Sequence, residues 1–529
     1  MIAFALVAFA AGAIVGANHK GGSATDRLAE GFVRAWTHED YVTMYSDLDA
    51  SSQQAVTVGE FADAYRQALT TATATRTAIV GRTHTTSSTT VVVPVRVHTR
   101  LFGTLSLKYT LAIDRTGESG PRIAWSHALA FPGLRPGETL ASRTTMPRRA
   151  TLLARDGSVL AESPPGLERA LDERVRGRQG GALLEGARLL AYVPPHAESA
   201  VRTSISPEVQ RAAVTALGGQ YGGIIAMDPR TGEILAVAGI GLDGLQPPGS
   251  TFKMVTLTGV LQAGIANRHT VFPYATYATL DGVKLSNANG ESCGGSLELA
   301  FAVSCNSVFS PLGVKLGATR LVETAEKLGF NHSSGIEGAP ESTLPAASSI
   351  QGELDVGSTA IGQGQVLATP LQMADIAATV ADGGRRPTPM FVPGSPRYAS
   401  ERAMSASVAR TVRRLMIGVV RFGTGTSAAI SGVTVAGKTG TAELKSACPT
   451  PAAATETSET TEPSATEANK ECQAGEHEAS NTDAWFAAFA PALHPRIAVC
   501  VMLVKDGAGG DTAAPVAKQV LEAALQASH

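Results

Sequence analysis

Two short apolar runs, Gly223–Met227 and Ile234–Ala238, flank the turn sequence Asp228-Pro229-Arg230-Thr231-Gly232, and strand-like patterning does not return until Val433. The first two runs read as a hairpin, and a lone two-stranded hairpin is marginal in water. Its partners are the late runs Val433–Ala436, Ala484–Phe489 and Ile497–Val504, followed by a helical pattern from Thr512 to Ala527. Strands at both ends of this segment therefore frame a long helical middle. The architecture expected for residues 205–529 is a five-stranded antiparallel sheet flanked by helices.

At roughly 150 residues per domain, the 529-residue chain implies three to four folding units, and the expected class is multidomain α+β. Residues 1–20 carry an uncharged apolar run, Met1–Ala17, which as a helix rises about 25 Å against the ~30 Å hydrocarbon core of a bilayer. We expect a membrane anchor there. A cleaved signal segment is the alternative, since Val15-Gly16-Ala17 resembles a cleavage site, although no Lys or Arg precedes the run. Ser23-Ala24-Thr25-Asp26 then reads as a capped helix start, with Leu28, Phe32 and Trp36 on one face, and a second helix is expected over Val58–Ala72. Alternation follows in Val91-Val93-Val95-Val97 and in Leu105-Leu107-Tyr109-Leu111-Ile113, the mark of strands with one buried face. Residues 23–135 should form a small α+β cone, closed by Phe131-Pro132-Gly133 and Arg135-Pro136-Gly137.

From 137 to 204 the pattern is short and irregular, and Arg149–Gly157 looks like a strand ending in an Asp-Gly turn. Residues 446–481 are a low-complexity insertion of Thr, Ser, Ala, Pro and Glu containing Cys448 and Cys472, too polar to bury a core. With 44 basic and 46 acidic residues the formal charge is −2. The basic excess of a nucleic-acid binder is absent, so nucleic acid is excluded as a partner. Five cysteines without a C-x-x-C spacing or clustered histidines give no metal site, and no cofactor is expected.

Three places carry chemistry. Ser250-Thr251-Phe252-Lys253 follows Pro247-Pro248-Gly249 and opens a helix ending near Gly264. Ser250 and Lys253 lie one turn apart, with Cβ atoms about 5–6 Å from each other. That spacing suits a nucleophile and its base, because a serine hydroxyl reacts poorly until a neighbour takes its proton. Lys253 can serve only if its pKa falls from ~10.4 towards 7, roughly 4 kcal/mol supplied by desolvation or a nearby cation. Alone, the pattern equally describes a helix start with a surface lysine. Ser304-Cys305-Asn306 offers a hydroxyl and an amide but is by itself an ordinary polar turn. Lys438-Thr439-Gly440-Thr441, at the end of the strand expected over Val433–Ala436, supplies a second cation and a glycine that lets a substrate backbone approach. By itself it is a strand-end turn.

In this order and these contexts, the S-x-x-K, S-x-N and K-T-G sequences resemble the penicillin-binding transpeptidase family. The surrounding words agree: Pro248–Lys253, Gly362-Gln363-Gly364 with Thr369–Ala374, Gly437–Glu443, and Ala484-Trp485-Phe486. The resemblance covers residues 205–529 and implies a serine-type D-Ala-D-Ala transpeptidase that crosslinks peptidoglycan stem peptides and is acylated by β-lactams. Ser250 would attack the penultimate D-alanyl carbonyl while Lys253 takes its proton. Ser304 and Asn306 would relay that proton to the leaving amine and hold the donor's amide. Lys438 would polarise the site, and the hydroxyls of Thr439 and Thr441, either side of Gly440, would bind the terminal carboxylate. The backbone N–H groups of Ser250 and Thr441 would form the oxyanion hole, each such donor worth ~3 kcal/mol.

Within the family, a serine β-lactamase would be much shorter, and no Tyr-Gly-Asn stands where one lactamase class has it. A bifunctional enzyme would need a further glycosyltransferase domain ahead of the connector. A monofunctional, class B-like enzyme remains, with a D,D-carboxypeptidase, or a β-lactam receptor or scaffold without efficient crosslinking, as alternatives. Residues 23–135 resemble the NTF2-like (MecA-type) extension of the low-affinity branch of class B proteins, through the Phe32/Trp36 helix, the Tyr41–Asp47 segment and the sheet with Trp125. Residues 137–204 stand where the family has its pedestal or dimerisation domain. The family's Arg-Gly-x-Ile-x-Asp-Arg-x-Gly signature is present only as Arg149–Gly157, with Ala150 and Ala154 replacing Gly and Asp. The resemblance further implies a single-pass anchor in the cell membrane, an extracytoplasmic catalytic domain and a glycosyltransferase partner. Disulfides are permitted outside the membrane: Cys448 with Cys472 across the insertion, and Cys293 with Cys305 beside the S-x-N loop, leaving Cys500 as a buried free thiol.

Overall fold

The computed structural model describes residues 23–117, 120–394, 402–443 and 481–527, so the expected anchor at 1–20 and the Cys448/Cys472 insertion lie outside the described residues. No helix among the described residues is long and apolar enough to cross a membrane. The chain divides into two compact units, one of residues 1–149 with 176–198, the other of 150–175 with 199–529.

In the N-terminal unit, the helix Ala24–Thr37 opens with the reciprocal cap read from the sequence: Ser23 Oγ accepts from the Asp26 N–H at 3.1 Å, and Asp26 Oδ2 accepts from the Ser23 N–H at 3.0 Å. A second such cap, Thr57 with Glu60, opens the helix Val58–Thr71. The strands Thr90–Thr99 and Thr104–Asp114 pair antiparallel, with Val93 opposite Tyr109 and Val97 opposite Leu105, and the alternating valines are buried as expected. Phe32, Trp36, Phe61 and Tyr65 fill the space between helices and sheet. Trp36 meets Tyr109 edge-on at 5.1 Å between ring centroids, and the Tyr109 hydroxyl donates to the Leu129 carbonyl. A three-stranded sheet of Leu140–Thr145, Gly180–Glu185 and Arg188–Val193 belongs to the same unit.

The irregular stretch from 137 to 204 is thus divided between the units. Leu152–Leu153 pairs in parallel with Val201–Arg202, and Leu152, Leu167, Leu171, Val175 and Ile205 are buried in the C-terminal core. The strand expected within Arg149–Gly157 is only Leu152–Leu153. The Asp-Gly turn is present: Asp156 Oδ1 accepts from the Ser158 N–H at 2.9 Å, and Gly157 has φ +90°.

The C-terminal unit contains the expected five-stranded antiparallel sheet, ordered Ile234–Gly239, Gly222–Met227, Ile497–Leu503, Thr482–Ala490 and Ala436–Glu443. Alternate residues face opposite sides. Ile224, Phe486 and Val501 pack with the helices Pro207–Leu217 and Ala513–Gln526, whereas Ile225, Trp485 and Cys500 join the helical middle of the chain. With both faces covered, the strands read as unbroken apolar runs. At the centre of that helical middle lies Pro370–Ala381, every residue of which is buried, capped by Thr369 Oγ1 accepting from the Gln372 N–H at 3.2 Å.

The middle of this unit also holds the short strands Val271–Ala275, Tyr277–Leu280, Val283–Ser286 and Cys293–Ser296, where only helices were expected, and the K-T-G strand differs too. The K-T-G sequence lies inside the edge strand Ala436–Glu443, not at the end of a strand over Val433–Ala436, with Lys438 opposite Ala487 and Gly440 opposite Trp485. Gly437 and Gly440 have poor strand propensity; pairing with the neighbouring strand Thr482–Ala490 overrides it.

Candidate active site

Ser250 lies in a 3-10 turn, Gly249–Phe252, that runs directly into the helix Lys253–Gln262. The helix expected to begin at Ser250 therefore begins as a tighter coil. With three residues per turn, side chains at i and i+3 eclipse, and Lys253 Nζ donates to Ser250 Oγ at 2.9 Å. Lys253 is fully buried. Its amine also donates to the Ser304 carbonyl at 2.7 Å, to Asn306 Oδ1 at 2.6 Å and, more distantly, to Ser304 Oγ at 3.3 Å. Burial, reinforced by the charge of Lys438, holds its pKa well below the usual lysine range. In its neutral form the amine would keep two N–H groups for the Ser304 carbonyl and Asn306 and have a lone pair free for the Ser250 hydroxyl.

Lys438 carries the second buried amine. Its Nζ donates to Ser304 Oγ and to the Thr439 carbonyl, both at 2.9 Å, and burial lowers its pKa to about 7. The rings of Phe309 and Phe301 stand beside the two amines, with centroids 5.8 Å from Lys253 Nζ and 5.6 Å from Lys438 Nζ. They exclude water, which is what makes burial effective.

The S-x-N loop follows the helix Leu297–Ala302. Ser304 takes φ +62°, a left-handed conformation that costs a non-glycine residue roughly 1 kcal/mol, and both its carbonyl and its hydroxyl reach Lys253 Nζ. The disulfide between Cys293 and Cys305 is formed, tying the loop to the strand Cys293–Ser296. Asn306 begins the next helix, Asn306–Leu316, and its Nδ2 donates to the Ser286 carbonyl at 2.9 Å. Next to it, Asn287 Oδ1 accepts from the Ser307 N–H at 2.8 Å while Asn287 Nδ2 donates to the Ala275 carbonyl at 2.8 Å.

Two glycines bring the edge strand to Ser250. A Cβ on Gly249, which has φ +49°, would lie 2.5 Å from the Thr441 carbonyl oxygen, and one on Gly440 would lie 2.7 Å from the Pro248 carbonyl oxygen. Ser250 is consequently held beside Thr441 by backbone contact. The Gly249 N–H also donates to the Gly362 carbonyl at 3.0 Å, which gives the Gly362-Gln363-Gly364 word its place. On the edge strand Thr439 Oγ1 is hydrogen-bonded to Thr424 Oγ1 at 2.5 Å, and Thr441 Oγ1 accepts from the Gly509 N–H at 3.4 Å.

The structure thus brings together Ser250, Lys253, Ser304, Asn306 and Lys438, with Thr439, Gly440 and Thr441 on the adjoining strand. Sequence reasoning missed Phe301, Phe309, Ser286, Asn287 and Thr424. Only Thr424 left a trace, in the small-residue run Gly423-Thr424-Gly425-Thr426. Cys500 is a buried free thiol, and its burial raises its pKa. Among the described residues, no group of His, Cys, Asp and Glu is placed to hold a metal ion. A hydroxyl on a deprotonable buried amine, a second hydroxyl bridging two amines and a nearby strand edge suit acyl transfer through a serine ester.

Residues 222–522 match the family described as the penicillin binding protein transpeptidase domain, and residues 24–138 match the NTF2-like N-terminal transpeptidase domain. The chain is 32% identical to the peptidoglycan D,D-transpeptidase PbpA of Mycobacterium tuberculosis over 394 residues, 62% of this chain and 72% of that one. With PbpA of Mycolicibacterium smegmatis it shares 32% identity over 436 residues, 69% of this chain and 81% of the relative. Among solved structures, penicillin-binding protein A from M. tuberculosis, as a ceftriaxone acyl-enzyme complex, superimposes with a TM-score of 0.56 at 26% identity, covering 72% of this chain and 98% of that one.

Proposed function

Because this chain belongs to the penicillin-binding protein transpeptidase family, we propose that it is a peptidoglycan D,D-transpeptidase working by two acyl transfers at Ser250. The observation that carries the assignment of the nucleophile is the 2.9 Å contact between Ser250 Oγ and a fully buried Lys253 amine. Ser250 Oγ attacks the penultimate D-alanyl carbonyl of a stem peptide and gives its proton to Lys253. The N–H groups of Ser250 and Thr441 hold the oxyanion, a pairing supported by the close approach of Gly249 to Thr441. The C–N bond then breaks, and Ser304 Oγ, which sits between Lys253 and Lys438, passes the proton to the departing D-alanine amine.

An amine of a second stem attacks the Ser250 ester, and the same groups run in reverse to release the crosslinked peptide. Asn306 holds the donor's amide, Thr439 and Thr441 take its terminal carboxylate, and Lys438 supplies the positive field. A β-lactam enters by the same first step. The match over residues 24–138 supports an NTF2-like domain at 23–135 ahead of a transpeptidase domain at 205–529. The Cys293–Cys305 disulfide favours an oxidising compartment, in keeping with residues 1–20 as an anchor in the cell membrane and catalysis outside it. A glycosyltransferase would supply the strands.

Labelling with a fluorescent penicillin tests the nucleophile: wild type is labelled and Ser250→Ala is not, whereas persistent labelling of Ser250→Ala overturns the assignment. Polymerised lipid-linked precursor tests the second step. Crosslinked muropeptides are the expected product, and D-alanine release without them would make water the acceptor and the enzyme a carboxypeptidase.

A further inference from the structure

Beside the S-x-N loop lies a hairpin that meets the acyl-transfer groups described above through the Ser286 carbonyl. Tyr277–Leu280 pairs with Val283–Ser286, setting Tyr277 opposite Ser286 and Thr279 opposite Lys284. Ala278 and Leu280 point into the core. By the alternation of a strand, Tyr277, Thr279, Lys284 and Ser286 share the outward face, and all four are exposed. Tyr274 and Tyr277 are 64% and 41% exposed. Lys284 Nζ lies 4.5 Å from the centroid of the Tyr277 ring, and among the described residues no carboxylate pairs with it. A cation held over an aromatic ring with no carboxylate partner is open to an anion from outside the chain.

The hairpin is held at both ends. At its tip, Asp281 Oδ2 accepts from the Leu354 N–H at 2.9 Å. At its base, the Ser286 carbonyl accepts from Asn306 Nδ2, while Asn306 Oδ1 accepts from Lys253. One amide therefore joins the base of the hairpin to the Lys253 amine, and Lys284 stands two residues, about 7 Å, along the strand from Ser286.

We propose that the outward face of this hairpin is a subsite for the stem peptide, in which Lys284, steadied by the Tyr277 ring, binds a side-chain carboxylate of the stem away from the scissile bond. The proposal rests on the transpeptidase reading and adds to it the chemical class of stem that the enzyme prefers. The carboxylate belongs to the acyl donor or to the acceptor, and the two are separable by experiment.

The test uses the full chain and compares wild type, Lys284→Ala, Lys284→Arg and Tyr277→Ala on stems bearing a free side-chain carboxylate and on the same stems with that group amidated. Acylation by fluorescent penicillin, which carries no stem, measures the folded fraction of each variant and normalises the rates. We expect Lys284→Ala to lower crosslinking of the carboxylate stem about tenfold, the scale of one charge-assisted hydrogen bond, with Lys284→Arg restoring most of it. Amidated stems should show no such difference between wild type and variant. A loss in D-alanine release assigns the carboxylate to the donor. A loss only in capture of a preformed acyl-enzyme assigns it to the acceptor. Equal losses on free and amidated stems, or none on either, overturn the subsite. Wild type that is labelled by penicillin yet crosslinks neither stem would instead overturn the transpeptidase reading.

Discussion

Tyr109 in the N-terminal unit and Lys253 in the C-terminal unit are both fully buried, and burial pushes their pKa values in opposite directions. The Tyr109 phenol is raised well above its usual range, and the Lys253 ammonium is driven well below its own. Burial favours the neutral form of each. For tyrosine that is its state in water at neutral pH, so desolvation only fixes what was already there, and the hydroxyl simply donates to Leu129. For lysine it is a perturbed state with a reactive lone pair. The same physical effect thus yields a rigid core in one unit and, in the other, the amine proposed as the general base. The base has a cost, since taking an ammonium out of water is unfavourable by several kcal/mol unless it is well paired.

The contrast can be broken most sharply at Lys253. Lys253→Met keeps the volume and removes the amine, so the second-order rate of penicillin acylation should fall by about 10²–10⁴ while thermal stability is unchanged or higher. A drop in melting temperature as large as that of a core truncation would erase the distinction between the units. Trp36→Ala is that truncation. It should destabilise the N-terminal unit by about 3–5 kcal/mol in urea unfolding, with penicillin acylation retained; loss of acylation in the native protein would show that the two cores behave as one.

Titration sharpens the comparison further. Lys438 has its folded pKa lowered to about 7 from 10.5, so between those values the unfolded chain binds more protons than the folded one, and stability rises with pH by roughly 1.4 kcal/mol per pH unit. Lys438→Met should flatten that rise. It should also move the acid limb of the acylation profile to higher pH, because the charge of Lys438 helps depress Lys253; an unmoved limb would mean that burial alone sets the base. The smallest expected effect is at a surface cap. Thr57→Ala removes the oxygen that accepts from the Glu60 N–H and should cost about 1 kcal/mol in the N-terminal unit, measured by urea titration with acylation rates unchanged.

What the sequence made legible was local. The Ser23/Asp26 cap, the alternating valines and the continuous runs of the second sheet each follow from a period or a short-range bond. The Cys293–Cys305 pair was one of the pairs proposed from position. The K-T-G strand was misplaced because its stability comes from a partner strand many residues away, while its own glycines argue for a turn. Nor does any window around Phe301 or Phe309 reveal that these rings shield two amines. The depressed pKa of Lys253 was visible only as a requirement, because the burial that creates it is a property of the assembled core.

The left-handed backbone at Ser304 carries an evolutionary consequence. On backbone conformation alone glycine is the better residue there, since it adopts positive φ without a Cβ penalty. A Ser304→Gly replacement would relieve that strain and remove the hydroxyl bonded to Lys438. A lineage released from the need for this reaction would therefore drift toward glycine at that position early, keeping its fold while its chemistry lapsed.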